Sequence, residues 1–271
     1  MTHAIRIHRH GGPEVLSWDP VEVGEPGPGQ VRLRQTACGL NFIDIYQRDG
    51  LYPVGDLPAV LGMEAAGVVE AVGEGVTGLA VGDRVAYPMV QGAYAQARLI
   101  DADRLVRLPD TLGDRQAAAV MLKGLTAHYL LFRSYPVRPG DDILVFAAAG
   151  GVGLLLCQWA AHLGARVIGC VGDADKAELA LANGCDDVIL YRDEDVARRT
   201  RELTGGHGVA AVYDSVGRAT FAASLDALRH FGVLVSYGNA SGPVEPFNPL
   251  LLAQKGSLYF TRPTLATHIA T

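Results

Sequence analysis

Residues Asp142–Gly153, reading DILVFAAAGGVG, set a short apolar run directly before a cluster of alanine and glycine, and the apolar stretch LLLCQWAAHLG follows. That order suits the binding of a diphosphate. A buried strand ends in a turn lacking bulky side chains, so backbone approaches the anion closely, and the next helix aims its unpaired N–H groups at it. Gly150 and Gly153 occupy the second and third glycine positions of a G-x-G-x-x-G turn, with Ala148 at the first. Ala149, Gly150, Gly151 and Val152 are the expected pyrophosphate contacts. A degenerate glycine turn is weak evidence by itself, so the neighbouring strand ends carry the argument further.

Roughly 20 residues beyond such a turn, an acidic residue at the tip of the second strand binds the ribose hydroxyls of NAD. Here the strand Arg166–Val171 runs into Gly172, Asp173, Ala174, Asp175 and Lys176. Gly172 stands where that carboxylate often sits and leaves room for a 2′-phosphate. Lys176 supplies a counter-charge and Tyr191, after the third strand, a second donor. NADPH is therefore the expected cofactor, provided that Asp173 and Asp175 turn away from the phosphate. Three later strand ends, Ser215-Val216-Gly217, Tyr237-Gly238-Asn239 and Phe260-Thr261-Arg262, carry residues suited to the nicotinamide half. Ser215, Tyr237, Gly238, Asn239, Phe260, Thr261 and Arg262 join the cofactor list.

The elements that must position these residues fall into two patterns. From Met1 to about Pro109 the chain reads as short strands separated by Gly, Pro and Asp turns, including 30–38, 66–72, 84–87 and 93–100, with one helical turn at 42–49. This predicts a partly open β-barrel. A helix is expected over 114–135, stopped by Pro136, as a hinge between the halves. Strands at 142–147, 166–171, 187–190, 209–214, 231–237 and 257–261 then alternate with helices at 152–163, 175–183, 193–203, 218–229 and 248–253. Such alternation predicts a six-stranded doubly wound parallel sheet. The expected domains are 1–124 and 125–271.

Composition narrows the partners. The chain has 271 residues, a formal net charge of −6 and no basic block, so sequence-independent binding to nucleic acid is not expected. The N-terminus alternates like a strand and lacks a signal peptide's apolar core, and no run approaches a membrane span. The 4 cysteines, Cys38, Cys157, Cys170 and Cys185, have no C-x-x-C spacing and read as buried thiols of a cytoplasmic protein.

The segments HGGPEVL (10–16), GLNFIDIYQRDGLYP (39–53), LGMEAAGVVEAVG (61–73), GDRVAY (82–87), LKGLTAHYLL (122–131), AAAGGVG (147–153), VYDSVG (212–217) and QKGSLYFTRP (254–263) together resemble the medium-chain dehydrogenase/reductase superfamily, and within it the zeta-crystallin-like quinone oxidoreductases. The resemblance runs over essentially the whole chain. It implies a GroES-like β domain and a Rossmann domain with the nicotinamide in the cleft between them. Zinc alcohol dehydrogenases of this superfamily place a Cys and a His where this chain has Asn41 and Met63, and Cys38 is out of register. Asn is a poor zinc ligand and a thioether is too soft to replace imidazole, so a metal-free site is expected.

A site without zinc must use an acceptor that needs less polarisation. Quinones qualify, since reduction restores aromaticity; enones come next. The resemblance places Asn41, Tyr46 and Tyr52 in the substrate cleft, able to hydrogen-bond the quinone oxygen or, for Asn41 and Tyr46, the nicotinamide carboxamide. It adds Lys123 as a cleft cation and Tyr129 as a cofactor contact, whereas Glu64 anchors structure and His128 and His207 are surface or packing residues. It implies an NADPH:quinone oxidoreductase, with an NADPH-dependent enone reductase and a crystallin-like or RNA-binding role as alternatives. The acidic balance argues against RNA. A homodimer through the edge of the Rossmann sheet is expected. Family members continue beyond the RPTL segment, so the closing elements of the β domain are expected to be missing from these residues.

Overall fold

The computed structural model of the protein describes residues 2–270. The chain forms two compact units that divide between Leu122 and Lys123. This division falls just before the expected boundary and places Lys123 with the second unit.

The first unit comprises β1 (Thr2–Ile7), β2 (Leu16–Val21), β3 (Gln30–Cys38), helix α1 (Phe42–Arg48), β4 (Ala59–Val60), β5 (Glu64–Val72), β6 (Arg84–Pro88), β7 (Ala97–Asp101) and β8 (Val106–Arg107). Two sheets result, a three-stranded β2-β1-β4 and a five-stranded β7-β3-β5-β6-β8, antiparallel throughout. Along β3 the residues alternate, so Val31 and Leu33 pack inward with Val69, Val85 and Tyr87 while Arg32 and Arg34, which alternate with them, are less buried. The sheet leaves β7 and β8 as edges, which makes the barrel open. The strand expected at 93–100 starts only at Ala97. Its first residues instead bridge the two sheets: Tyr94 N–H bonds Leu61 O at 2.9 Å and Tyr94 O accepts Ile5 N–H at 2.7 Å.

Helix α2 (Asp114–Tyr129) follows, and the expected helix to Tyr135 changes character at its end. Residues Leu130–Ser134 form a π-turn closed by the Tyr135 N–H on Leu130 O at 3.2 Å. Two causes coincide there. Pro136 disfavours helical backbone at Tyr135, and the Tyr213 hydroxyl donates toward the carbonyls of Leu130 and Tyr135 at 3.4 and 3.2 Å.

The second unit continues with β9 (Asp142–Phe146), α3 (Gly151–His162), β10 (Arg166–Val171), α4 (Ala174–Leu181), β11 (Asp187–Leu190), α5 (Val196–Leu203), β12 (Val209–Asp214), α6 (Phe221–Ala227), β13 (Leu228–Ser236) and β14 (Tyr259–Thr261). All six strands pair in parallel in the order β11-β10-β9-β12-β13-β14. The order reverses at β9, and ligands of such sheets lie beyond the strand ends at that switch point. Every residue of β12 is buried, as helices on both faces require. Several boundaries differ from expectation: α5 starts at Val196, α6 at Phe221 and β14 at Tyr259. Leu228 and Arg229, read as the end of a helix, begin β13, which absorbs a register shift opposite Val209 and Ala211 and a left-handed Phe231 at φ 59°. Among the described residues no helix is long and apolar enough to cross a membrane.

Candidate active site

Beyond β9 the backbone turns through Ala147, a non-glycine residue at φ 52°, into α3. Gly150 is the N-cap of this helix and its own N–H bonds Ala147 O at 2.8 Å. The N–H groups of Gly151, Val152 and Gly153 are first-turn donors, which a helix leaves without intrahelical acceptors. A Cβ on Gly153 would lie 2.2 Å from Ala147 O, so the third glycine is fixed by contact between helix and turn. Ala148 is tolerated in place of the first glycine because Gly169 on β10 faces it: a Cβ there would approach the Ala148 methyl to 3.0 Å. The turn therefore has the geometry of a diphosphate cradle despite its alanine.

At the tip of β10, the phenol of Tyr191 stands over Gly172, where an added Cβ would meet the hydroxyl at 2.8 Å. Asp173 is the N-cap of α4 and accepts from Lys176 N–H at 3.0 Å and from Lys176 Nζ at 2.7 Å. These bonds, the side-chain one foremost, hold its carboxyl below the ordinary carboxylate range. Asp173 is thus turned into its own helix, away from Gly172. Lys176 already carries a carboxylate partner and is thus part of a charge cluster. Arg192, absent from the sequence-based list, belongs to that cluster: its guanidinium lies 6.0 Å from the Tyr191 ring centroid and acts on Asp173. Its position beside Tyr191 was the available signal. Gly172, Lys176, Tyr191 and Arg192 together could hold a ribose phosphate.

The end of β12 is tied to the following turn and to α6 by Asp214, whose buried carboxylate accepts from Val216 N–H at 2.7 Å, Gly217 N–H at 3.1 Å, Thr220 Oγ1 at 2.6 Å and Ser224 Oγ at 2.8 Å. This fixes Ser215. Gly238 passes so close that a Cβ would sit 2.4 Å from Ser215 O, and Ala240 N–H bonds that same carbonyl at 3.2 Å. The Tyr237 phenol is pushed up by burial, against a hydrogen bond with Ser215, and feels Tyr129. Ser215, Tyr237, Gly238, buried Asn239 and Tyr129 therefore share one corner of the second unit. Tyr129 also stacks on His268, with centroids 4.3 Å apart. Phe260 stands differently: its ring packs with Phe221 and Phe247 at 6.1 and 5.4 Å, a cluster on the sheet's core. Thr261 ends the edge strand β14, and Arg262 donates to Pro263 O at 3.1 Å.

In the first unit, Asn41 caps α1. Its Nδ2 donates to Glu64 Oε2 at 2.9 Å and its backbone N–H to Asp44 Oδ2 at 2.8 Å. Glu64 is fully buried and its Oε1 accepts Leu122 N–H at 2.6 Å, so this carboxylate pins the start of α1 to β5. Tyr46 is buried on α1 and meets the half-buried Tyr52 edge-on at 5.2 Å. Tyr46 and Tyr52 thus share the C-terminal end of α1, which the hydrogen bond from Tyr52 N–H to Tyr46 O at 2.9 Å fixes, while Asn41 stands at the opposite end as its N-cap. Met63, at the other former ligand position, receives Gln47 Nε2 on its sulfur at 3.6 Å. Gln47 was not singled out in the sequence; its burial follows only from the helix register. Among the described residues no three His, Cys, Asp or Glu side chains gather as a metal site would need. Lys123 lies along the glycine turn: its methylene stem is 2.9 Å from where a Gly151 Cβ would be.

Comparison with known proteins agrees with this geometry. Residues 27–134 match the profile of the alcohol dehydrogenase GroES-like domain, and residues 151–264 that of the zinc-binding dehydrogenases. A quinone oxidoreductase of Pseudomonas aeruginosa is 53% identical over 100% of this chain and 84% of its own length. The 2-haloacrylate reductase of a Burkholderia species is 50% identical over 98% of this chain and 82% of its own. The crystal structure of Escherichia coli quinone oxidoreductase complexed with NADPH superimposes with a TM-score of 0.97 at 50% identity, covering 99% of this chain and 83% of that one. With both profiles matched in order, and with Asn41 and Met63 where zinc ligands would stand, this chain belongs to the zinc-independent quinone oxidoreductases of the medium-chain dehydrogenase/reductase superfamily.

Proposed function

We propose that this protein reduces small quinones with NADPH. The observation that carries the cofactor assignment is the corner at Gly172, where a side chain is missing beneath the Tyr191 hydroxyl and the neighbouring Asp173 carboxylate is bound to Lys176 and α4. A carboxylate aimed at the ribose would select NAD; a glycine flanked by Lys176, Tyr191 and Arg192 suits the 2′-phosphate.

Gly151 and Val152 offer first-turn N–H groups to the pyrophosphate, with the Lys123 stem alongside. Ser215, Tyr237, Gly238, Asn239 and Tyr129 border the nicotinamide half. When bound, NADPH supplies the hydride that reduces the acceptor. Asn41, with its amide plane fixed by Glu64, and Tyr46 and Tyr52, with their rings packed edge-on, orient the quinone oxygen and the carboxamide. Their contribution is positioning and hydrogen bonding, while water supplies the proton that completes the hydroquinone.

A steady-state panel of benzoquinones against enones, with NADPH and NADH, tests this reading. Quinone turnover with tighter binding of NADPH is expected. The enone alternative draws support from the likeness to 2-haloacrylate reductase, and strong enone preference with no quinone turnover would establish it. The proposed assembly is a homodimer joined through β14, the edge of the parallel sheet, where Tyr259 is exposed. A monomeric mass by light scattering would overturn that. With a net charge of −6, RNA is not a proposed partner.

A further inference from the structure

Cys157 on α3 and Cys185 in the turn before β11 are free thiols whose sulfurs lie 3.4 Å apart in the interior of the second unit. They sit one layer beneath the glycine turn. Cys157 follows Gly153 by one helical repeat on the same face of α3. The Cys185 sulfur fills the space over Gly169, 2.7 Å from where that residue's Cβ would be, and the Ala148 methyl approaches the same point to 3.0 Å. The turn carrying Cys185 lies directly on α3. Gly184 adopts φ 99°, and its Cβ position is 2.8 Å from Cys157 O; Gln158 Nε2 donates to Asn183 Oδ1 at 2.6 Å. The two cysteines are therefore held facing each other by a close backbone approach and a neighbouring side-chain hydrogen bond.

We propose that Cys157 and Cys185 form a reversible disulfide under hydroperoxide, a redox modification site within the dinucleotide-binding unit. To bond, the sulfurs must close from 3.4 Å to about 2.05 Å, a shift that small χ1 rotations and the glycine turn supply. The two thiols are not equivalent. Cys157 is fully buried and Cys185 keeps 7% exposure. Hydrogen bonding to Cys157 favours the charged form of Cys185, while the same contact and burial push Cys157 up. The order of events follows. The Cys185 thiolate attacks one peroxide oxygen, the O–O bond breaks, and the departing hydroxide takes a proton to leave as water. Cys157 sulfur then attacks the sulfenic sulfur of Cys185, the S–O bond breaks, and the thiol proton departs with the hydroxyl as a second water. Two thiols are oxidised and one hydroperoxide is reduced. The cross-link ties the helix that presents the Gly151 and Val152 N–H groups to the segment leading into β11 and Tyr191.

The site does not depend on the quinone reading, and its test is independent of turnover. Whole protein carrying Cys38→Ser, which removes the exposed thiol, is treated with hydrogen peroxide, blocked with N-ethylmaleimide, digested without reductant and mapped by mass spectrometry. The expected product is a Cys157–Cys185 peptide pair lighter by two hydrogens and restored by dithiothreitol, with a thermal midpoint raised by several degrees in the oxidised form. Cys185→Ala should abolish both the link and the rise. Oxidation of Cys185 to sulfinic acid without a link, a link through Cys170, or no reaction at either thiol would overturn the proposal. Mapping of the Cys38→Ser protein decides the matter even where the Cys185 variant folds poorly.

Discussion

Asn41 donates Nδ2–H to Glu64 Oε2 at 2.9 Å while Leu122 N–H reaches the other oxygen of that carboxylate at 2.6 Å. One buried side chain thus orders a candidate substrate residue and the middle of α2. Replacing it by alanine removes both of these contacts from a fully buried position. Glu64→Ala is expected to cost about 2–4 kcal/mol, and Glu64→Gln, which keeps the shape and one acceptor, about 1–2 kcal/mol. Urea unfolding measures both. A loss below about 0.5 kcal/mol for Glu64→Ala would mean that water replaces the carboxylate.

The glycine turn makes a ranked prediction. Gly153→Ala drives a methyl to 2.2 Å from Ala147 O and 2.7 Å from Ala148 O, both backbone atoms, so α3 must move. Gly151→Ala meets the Lys123 stem at 2.9 Å, a flexible chain that can swing aside. Fluorescence titration should show NADPH affinity falling more than about ten-fold for Gly153→Ala and within about two-fold for Gly151→Ala. Equal losses would indicate that both glycines act through the anion and not through packing.

The parallel sheet was legible in the sequence because its signals are local: apolar runs of strand length alternate with helical stretches, and 166–171, 187–190 and 209–214 match the structure residue for residue. The glycine turn was legible for the same reason. Tertiary partners decided the rest. Residues 93–96 look like strand yet are claimed by Leu61, Gly62 and Ile5, far away in the chain. Leu228 continues a helical apolar pattern, but its parallel partner Val209 draws it into β13. In the site, side-chain direction was the hidden quantity. Sequence spacing could not reveal that Asp173 bends back onto Lys176, that Phe260 turns into an aromatic cluster, or that Lys123 lies along Gly151.

The Asp173–Lys176 pair separates two readings of the cofactor corner. Lys176→Ala should weaken NADPH about ten-fold and leave NADH within about two-fold, with a difference that shrinks as salt rises. Asp173→Asn keeps a good N-cap and releases Lys176 from its carboxylate, so NADPH should bind a few-fold tighter. Arg192→Ala should act in the same direction as Lys176→Ala. Parallel titrations with the two dinucleotides read all three. Marked loss of NADH binding in Asp173→Asn would mean that this carboxylate reads the ribose hydroxyls.

Acid sensitivity should centre on Asp114 at the start of α2. Its carboxylate accepts from Thr36 Oγ1 at 2.6 Å and from Arg84 Nε and Nη2 at 2.9 and 2.6 Å. The Thr36 bond first, and the Arg84 guanidinium with it, hold its pKa below the ordinary 3.8. A carboxylate with a lowered folded-state pKa stabilises the fold wherever it is ionised. That contribution is complete above the unfolded value and disappears as pH falls through 3.8 toward the lower folded value. Asp83 and Asp173 are lowered too, but their partners Arg107 and Lys176 are exposed, unlike the half-buried Arg84, so salt screens those pairs. Asp114→Asn should therefore cost about 1–2 kcal/mol at neutral pH and flatten the acid limb of the stability curve. Denaturant midpoints taken between neutrality and pH 3 at moderate salt give the comparison. A variant whose acid limb runs parallel to that of the parent would show that other carboxylates carry the sensitivity.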